Sequence, residues 1–315
     1  LSNIIRNKRM LKAFYRLDDA STTLDELVER IRFSDEFAAF LRAVLSSSLG
    51  VGLDHVGVVS LRESFNKAGM RVERDIGEYA LNDSLHGLLT GMFTDAIVLT
   101  EFNKQVTSID YAEAPVVVTR DDERIQASHV IVTVSLAVLQ AQKIDFQPAL
   151  PVSKQQAIAR LGMGQGARIF FRLNKPYWPA GIKEIIHSRL PLHLTIHSDA
   201  PVLISAFYIS TDGRHIEEHE LHTLCVETMA KVFGISAIDN IIDVHMENWS
   251  ANPLIGGAYS YDPPDSVGAR TELARSVSDR LFFAGEASVE GHYATVDGAI
   301  LSGQRAAKEV IEVAG

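Results

Sequence analysis

A glycine–glutamate pair followed by a helix of small residues is the stretch best suited to hold a ligand. Residues 281–284 (LFFA) predict a buried strand, Gly285 and Glu286 begin a loop, and a helix is predicted to start near Thr295. Two sets of small residues recur at a spacing of four, which places each set on one helix face: Gly298, Ser302 and Ala306, and Ala299, Gly303 and Ala307. Such a face lets a backbone or a flat molecule approach closely, and a helix N-terminus offers free N–H groups. The stretch therefore predicts a cofactor seat, with a tightly packed, ligand-free terminal helix as the alternative.

Aromatic side chains precede this helix and could orient a substrate. Tyr259 follows two glycines, and His292 and Tyr293 lie just before the helix. Packing between two domains is the alternative for the aromatic residues of these segments.

Two other patterns have the wrong context for the sites they suggest. Residues 162–167 (GMGQGA) satisfy G-x-G-x-x-A, but a dinucleotide site needs strand, glycines and then helix, whereas here a helix is predicted before the glycines and a strand after them. His215, His219 and His222 have a spacing that could gather metal ligands on a helix. They flank an apolar stripe among glutamates, so a solvated face is predicted and no metal site is expected.

Composition limits the classes of protein. With 315 residues, 46% of them hydrophobic, the chain can bury a large core in one or two domains. A net charge of −10 without a Lys/Arg run argues against nucleic-acid binding. The single cysteine, Cys225, excludes an intrachain disulfide framework. No apolar run approaches the ~18–20 residues of a membrane span and no secretory signal is recognisable, so a cytoplasmic location is expected.

Capping and periodicity predict the elements that must position these residues. Thr23 and Glu26 form a capping-box pattern, Ser34 can cap the next helix, and the apolar residues there, including Phe37 and Phe40, are assigned to core packing. Further helices are expected over 59–67, 82–93, 152–161 and 215–233. Strands are expected over 116–119, 130–134, 168–173 and 202–209.

Several separated motifs together resemble the flavin-dependent amine oxidases. They are VIVTVSLAVLQ, IDFQPALP, LGMGQGARIFF, KPYW, WSANPLIGGAYSY, FFAGEAS and YATVDGAILSGQRAA, in the family's order from about Gly77 to Val313. That family includes monoamine and polyamine oxidases, histone-lysine demethylases and L-amino-acid oxidases. The resemblance implies an α/β fold (α+β mixed) with two interleaved domains, a partial FAD-binding domain and a substrate domain with a mixed sheet flanked by helices. The implied segments are 1–72 (helical part of the substrate domain), 73–148 (FAD-binding), 149–252 (substrate domain) and 253–315 (C-terminal FAD-binding).

The resemblance also implies FAD and its contacts. The backbone of Val106 would meet the adenine, Gly285 and Glu286 would adjoin the ribityl chain, and the N–H groups of Thr295 and Val296 would face flavin N1 and O2.

On the substrate side, Tyr259 matches the ring that stands before the flavin and steers the amine. Thr295 occupies the place of a second tyrosine in monoamine oxidases and of threonine in the demethylases. Tyr293 and His292 are the remaining substrate candidates. Arg168 and Tyr259 are the catalytic candidates: Arg168 stands where most members carry a lysine that holds a water against flavin N5.

The implied reaction is flavin-dependent oxidation of a small amine or amino acid. Hydride passes from the carbon next to nitrogen to flavin N5, the imine hydrolyses, and oxygen reoxidises the flavin. No segment matches the family's N-terminal βαβ unit, which cradles the FAD pyrophosphate, and a second polypeptide could supply it. A catalytically silent subunit or fragment that needs a partner chain to complete the FAD site is the main alternative. A related flavin desaturase or porphyrinogen oxidase is a third reading, and LGMG and GGAYSY favour the amine oxidases over it.

Overall fold

The computed structural model describes residues 8–67, 84–187, 192–199 and 201–315. Within them the α-helices are α1 (Lys8–Arg16), α2 (Leu24–Ile31), α3 (Asp35–Leu49), α4 (Val58–Lys67), α5 (Leu85–Met92), α6 (Thr94–Val98), α7 (Leu136–Gln140), α8 (Val152–Arg160), α9 (Glu218–Phe233), α10 (Ala269–Ala274) and α11 (Val296–Ala314). The strands are β1 (Val106–Asp110), β2 (Val116–Thr119), β3 (Arg124–Gln126), β4 (Val130–Val132), β5 (Asp145–Gln147), β6 (Gly162–Met163), β7 (Gly166–Leu173), β8 (Glu184–Ile186), β9 (Leu192–Asp199), β10 (Val202–Ile209), β11 (Ile241–Glu247), β12 (Ser260–Tyr261) and β13 (Leu281–Phe283). The start of the helix predicted over 82–93 and the predicted boundary at 72/73 lie outside the described residues.

The first helices follow their capping signals. Thr23 Oγ1 accepts from the Glu26 N–H at 3.2 Å and Glu26 Oε2 accepts from the Thr23 N–H at 3.3 Å, which confirms the capping box at the start of α2. Ser34 caps α3 through the N–H of Phe37. The helix predicted over 59–67 is confirmed as α4.

The prediction that Phe37 and Phe40 lie in the core is wrong. Their exposed fractions are 36% and 38%, whereas Leu41 and Leu45 on the same helix are buried. The apolar stripe of α3 is wider than the face that the neighbouring helices cover. The two rings stack on each other with centroids 6.4 Å apart, which reduces the apolar surface that they present to water.

The largest sheet has five strands in the order β11–β7–β10–β9–β8, and all of its pairs are antiparallel. The mixed sheet expected for the substrate domain is therefore wrong in this detail. Among the described strands, the parallel pairs are β1–β5 and β4–β13, in smaller sheets. The strands predicted over 168–173 and 202–209 form the centre of the large sheet as β7 and β10.

The two faces of the large sheet differ. One face packs against α9 and is apolar, with Ile169, Phe171 and Ile204 buried. Because successive side chains alternate between faces, the other face carries Arg168, Phe170, Ser205, Phe207 and the histidines of β9 and β11. The chemistry-bearing residues of this sheet thus share the face away from α9.

Helix α9 begins three residues later than predicted, because Glu217 and Glu220 form a capping box at its start. His215 consequently lies before the helix, and His215, His219 and His222 do not share one helix face. Across the described ranges, no three or more His, Cys, Asp or Glu side chains are grouped to hold a metal ion.

The second part of the molecule is built from small sheets and α11. Strands β3, β2, β1 and β5 form one sheet, and β4 pairs in parallel with β13, Val130 opposite Leu281 and Val132 opposite Phe283. The strands predicted over 116–119 and 130–134 are β2 and β4, the latter ending two residues early. In the described part of the chain, no helix is both long and apolar enough to cross a bilayer.

Candidate functional site

Glu286 lies at the centre of the predicted cofactor seat, in the turn after β13. Its Oε1 accepts from the Ser260 N–H at 3.2 Å. Its Oε2 accepts from the Ser260 hydroxyl and from the Ala294 N–H, both at 2.7 Å. The carboxylate therefore ties β12 to the loop that leads into α11.

Two glycines allow this turn to form. Gly285 has φ +127°, a conformation that L side chains rarely adopt, and its N–H donates to Ser302 Oγ at 2.8 Å. Gly298 admits the loop against the helix, since a Cβ there would lie 1.8 Å from the carbonyl oxygen of His292. The buried residues of α11 are Gly298, Ser302 and Ala306, so one predicted small stripe is a packing face. The other is open: a Cβ added at Gly303 would meet no atom within 4 Å among the described residues, and Ala307 is exposed.

The N-terminus of α11 is capped by Thr295. Its Oγ1 accepts from the Gly298 N–H at 3.1 Å and donates to the His292 carbonyl at 2.6 Å. The first N–H groups of a helix have no intrahelical acceptor, and that of Val296 has no partner among the described residues. The seat thus presents an N–H donor beside the Glu286 acceptor, while the threonine hydroxyl is committed to the cap.

The helical layer, formed by α1–α4, holds Tyr259 in one orientation. Its hydroxyl donates to the Ser47 carbonyl at 2.7 Å, and its ring stacks on Phe207 with centroids 6.4 Å apart. Burial raises the pKa of the Tyr259 hydroxyl, so it stays protonated as a donor. Gly50 lies against the ring, because a Cβ there would be 2.5 Å from Cε2. The following residue, Ser260, bonds Glu286, so the predicted substrate and cofactor residues are adjacent.

Arg168 joins the same cluster from β7. Its guanidinium carbon lies 5.0 Å from the centre of the Phe207 ring. Its Nε is buried and has no hydrogen-bond partner among the described residues. Burial lowers the pKa of Arg168, yet a guanidinium remains charged at neutral pH. The fold therefore places a cation beside Tyr259, from a strand 91 positions earlier in the sequence.

A cavity of about 40 Å³ opens next to Phe207, between α3 and the sheet. This volume has room for a few water molecules. Ser47, His193 and Thr211 are among its lining residues. His193 Nδ1 is 3.1 Å from Ser47 Oγ, and its Nε2 is 3.5 Å from Glu184 Oε2. The cavity is thus lined by both polar and apolar residues, the latter including Phe207, Leu192 and Ile209.

The remaining predicted site residues, His292, Tyr293 and Val106, lie in different parts of the structure. His292 is half-buried with Nδ1 3.0 Å from Asp297 Oδ2. Tyr293 is only 7% exposed and packs in the core of the helical layer. Val106 begins β1 and packs against the core of the small sheets. The structure therefore brings Arg168, Tyr259, Glu286, Thr295 and Val296 into one region, whereas Tyr293 lies behind it and Val106 belongs to another sheet.

Sequence reasoning missed a buried polar group behind Glu286. Arg270, Asp262 and Ser260 are 2%, 3% and 0% exposed. Arg270 Nε donates to Asp262 Oδ1 and its Nη1 to Ser260 Oγ, both at 2.7 Å. The signal in the sequence was Asp262 before Pro263–Pro264 and Arg270 after them. This pattern by itself is typical of an exposed turn.

The fold is shared with solved amine oxidases. Cyclohexylamine oxidase from Brevibacterium oxydans IH-35A aligns with a TM-score of 0.76 at 20% identity, over 99% of this chain and 71% of that one. A double mutant of putrescine oxidase aligns with a TM-score of 0.79 at 16% identity, over 99% and 72%. At these identities the likeness shows the fold alone.

Sequence comparison then gives the family. The model of the family "Flavin containing amine oxidoreductase" matches residues 14–311, so the chain belongs to that family, whose cofactor is FAD. Lysine-specific histone demethylase 1 homolog 2 of Arabidopsis thaliana is 32% identical over 229 residues, 68% of this chain and 31% of that protein. Human amine oxidase [flavin-containing] B is 28% identical over 68% of this chain and 44% of its own length. The chain thus spans less than half the length of these curated relatives.

The described residues fit such a cofactor on their own chemistry. Glu286 Oε1 accepts one bond only, so it can take a further hydroxyl donor. The N–H of Val296 can donate to an electron-rich edge, helped by the positive end of the α11 dipole. An acceptor and a donor thus stand side by side.

Proposed function

We propose that this chain forms the substrate side and the flavin side of an amine-oxidising site. The observation that carries the proposal is the convergence of Arg168, Tyr259 and Glu286 beside the N-terminus of α11. FAD bound there would take up hydride at N5 from the carbon next to the amine nitrogen, be reoxidised by oxygen, and leave an imine that hydrolyses in water.

The cofactor roles follow from the donors and acceptors. With FAD bound, Glu286 Oε1 would accept from a ribityl hydroxyl, and the N–H groups of Thr295 and Val296 would donate towards flavin N1 and O2. Gly285 leaves room beside Glu286, because it has no side chain. A Cβ built on Gly285 would have the Thr133 carbonyl oxygen, at 4.0 Å, as its nearest atom. The backbone of Val106 meets the adenine.

The substrate roles belong to aromatic and polar residues. Tyr259, fixed by Ser47, presents its ring to the amine of a small amine or amino acid. His292 and Thr295 border the same approach, and Tyr293 supports it from the core. Arg168 keeps a fixed positive charge near the reacting atoms, where it favours the negative charge that develops when oxygen is reduced.

The exposed apolar surface of the chain favours a contact with a further segment or a second polypeptide, and we assign a strand–glycine–helix unit to that place. The helices α5 and α6 have no residue classed as buried among those described. Val98, Leu99 and Phe102 are 78%, 82% and 76% exposed. A large exposed apolar patch marks an interaction surface. The same observation favours the second candidate function, a catalytically silent chain that acts only with a partner.

Flavin absorbance tests the proposal. Purified together with a strand–glycine–helix unit, saturated with FAD and freed of excess cofactor, the protein is expected to be yellow and to bleach when an amine substrate is added without oxygen. A protein that binds FAD but bleaches with no amine or amino acid in a broad panel supports the silent chain instead. A colourless protein that gains colour only with a second polypeptide supports the split site.

A further inference from the structure

Arg270 lies directly behind Glu286 and has no part in the roles above. Its guanidinium is enclosed by Asp262, Ser260, the Ala287 carbonyl at 3.1 Å, and the Tyr293 ring, whose centre is 3.7 Å from Cζ. Arg270 is 2% exposed and Ser260 is fully buried, and Arg270 Nη2 and Asp262 Oδ2 are buried without a partner among the described residues. The group is therefore a buried chain of hydrogen bonds that ends on the candidate cofactor residue.

The chemistry of arginine fixes the direction of these bonds. A guanidinium only donates, so Ser260 Oγ must accept from Arg270 Nη1. The single hydroxyl proton of Ser260 is then left to donate to Glu286 Oε2, at 2.7 Å. Asp262 balances the charge of Arg270, so the arginine does not need Glu286 as its counter-ion.

The result is an unequal carboxylate. A carboxylate has about four lone-pair sites. Oε2 of Glu286 receives two donors, Ser260 Oγ and the Ala294 N–H, and Oε1 receives only the Ser260 N–H. The remaining acceptor position is on Oε1.

We propose that Arg270 is a positioning residue for the cofactor. By holding the Ser260 hydroxyl as a donor to Oε2, it orients the Glu286 carboxylate and reserves Oε1 for a hydroxyl of the ribityl chain. The inference rests on the proposed function, which assigns Glu286 to the flavin.

The first test is Arg270→Lys in the FAD-loaded full-length protein. Lysine keeps a charge for Asp262 but lacks the planar fork that bonds Asp262 and Ser260 together. The dissociation constant of FAD, measured by flavin fluorescence, should rise about tenfold, as expected for one charge-assisted bond. The bound flavin's visible bands should shift in the same direction as in Glu286→Ala. Arg62→Lys is the matched control, since Arg62 is also buried but donates to the Phe14 and Leu17 carbonyls.

The second test repeats Arg270→Lys in a Ser260→Ala background. If Arg270 acts through Ser260, it should cause no further loss of FAD affinity there. An equal loss in both backgrounds would show that Arg270 merely stabilises the fold, and an unchanged affinity in the first test would also overturn the inference.

Two more variants distinguish a folding defect, or a failure of the proposed flavin site, from a failure of the role proposed for Arg270. If Arg270→Lys does not fold, Arg270→Met combined with Asp262→Leu removes both charges at once, which buried pairs tolerate. It should weaken FAD binding by about tenfold, and unchanged binding would refute the inference. Glu286→Ala decides the other question: if it leaves FAD binding intact, the proposed flavin site itself fails, whereas weakening by Glu286→Ala but not by Arg270→Lys rejects only the role of Arg270.

Discussion

Three residues of the candidate site have polar atoms that the described part of the chain does not fully occupy. Glu286 keeps one acceptor position, Val296 keeps one donor, and Arg168 keeps a buried Nε without a partner among the described residues. Arg168 Nε is buried, and buried polar groups are nearly always bonded, so this atom marks a place where a bound molecule would add a contact. Glu286 is half-buried and Val296 is 46% exposed, so both are open to a ligand.

Replacing Glu286 tests the acceptor. Glu286→Ala removes one charge-assisted bond, so FAD retention should weaken by about 1.5–3 kcal/mol, measured by isothermal titration. Glu290→Ala is the control, because that carboxylate binds Lys67 and Thr271 instead. Equal FAD affinity in the wild type and Glu286→Ala would remove Glu286 from the site.

Replacing Arg168 tests the fixed charge. If Arg168 serves oxygen activation, Arg168→Met should slow reoxidation of the reduced flavin much more than its reduction by substrate. Stopped-flow absorbance separates the two half-reactions. Arg172→Met is a control on the same strand, since Arg172 pairs with Asp243 at 3.6 Å. Two unaffected half-reactions would leave Arg168 without a catalytic role.

The charge of Arg168 can also be followed without any cofactor. Burial, and secondarily Arg168, lowers the pKa of His197 from its ordinary 6.5. Arg168→Met should move that pKa back towards 6.5, which NMR titration of the imidazole would detect. Because the folded chain binds fewer protons than the unfolded chain in this window, the stabilising contribution of His197 is lost as the pH falls below 6.5. No movement of the His197 resonance pKa would mean that the two side chains are further apart in solution.

At the scale of elements, local signals predicted most helices and the central strands. Thr23, Ser34 and Gly234 mark helix ends with side chains or backbone that bond locally, and such signals need no tertiary information. Strands β9 and β11 were missed because polar residues, among them His193, His197 and His245, alternate with their apolar residues. The partner of β11, β7, also lies far away in sequence. The prediction that Phe37 and Phe40 are buried was wrong for a related reason. The width of the helix face that neighbouring elements cover depends on tertiary packing.

The two rows of small residues on α11 lead to opposite predictions. Gly298→Ala should lower the free energy of unfolding by about 1–3 kcal/mol, because the new Cβ would meet the His292 carbonyl. Gly303→Ala should leave it unchanged or raise it by up to about 1 kcal/mol, because alanine favours helix and no described atom lies within 4 Å of the new Cβ. Urea denaturation of the pair measures both. A loss at Gly303 as large as at Gly298 would show that the open stripe is covered in solution.

At the scale of the whole molecule, segments far apart in sequence pair with each other, as β4 does with β13. The motif order predicted the family, because several separated segments had to match together. The buried group of Ser260, Asp262 and Arg270 was not predictable in the same way. Its charges look like those of a surface turn until β12, α10 and the turn after β13 are packed together.

Completeness of the flavin site is tested with residues 1–315 alone. Among the described residues no strand is followed by a glycine turn and a helix of the pyrophosphate-binding kind, since GMGQGA runs from α8 into β6 and β7. We expect this polypeptide to bind FAD poorly, and adding a strand–glycine–helix unit to restore binding. Equilibrium dialysis measures it, with intact mass confirming the chain. Tight stoichiometric binding by 1–315 alone would contradict this expectation.

The bond from Tyr259 to the Ser47 carbonyl has a consequence for protein synthesis. It joins residues 212 positions apart, so α3 leaves the ribosome long before the ring that packs against Gly50 and Phe207 exists. At about 5–20 residues per second, the delay is roughly 10–40 s. During that interval the Gly50 turn faces solvent or chaperones, and so does Phe207 once it has been made. The contact between α3 and Tyr259 is therefore among the last that a nascent chain can form.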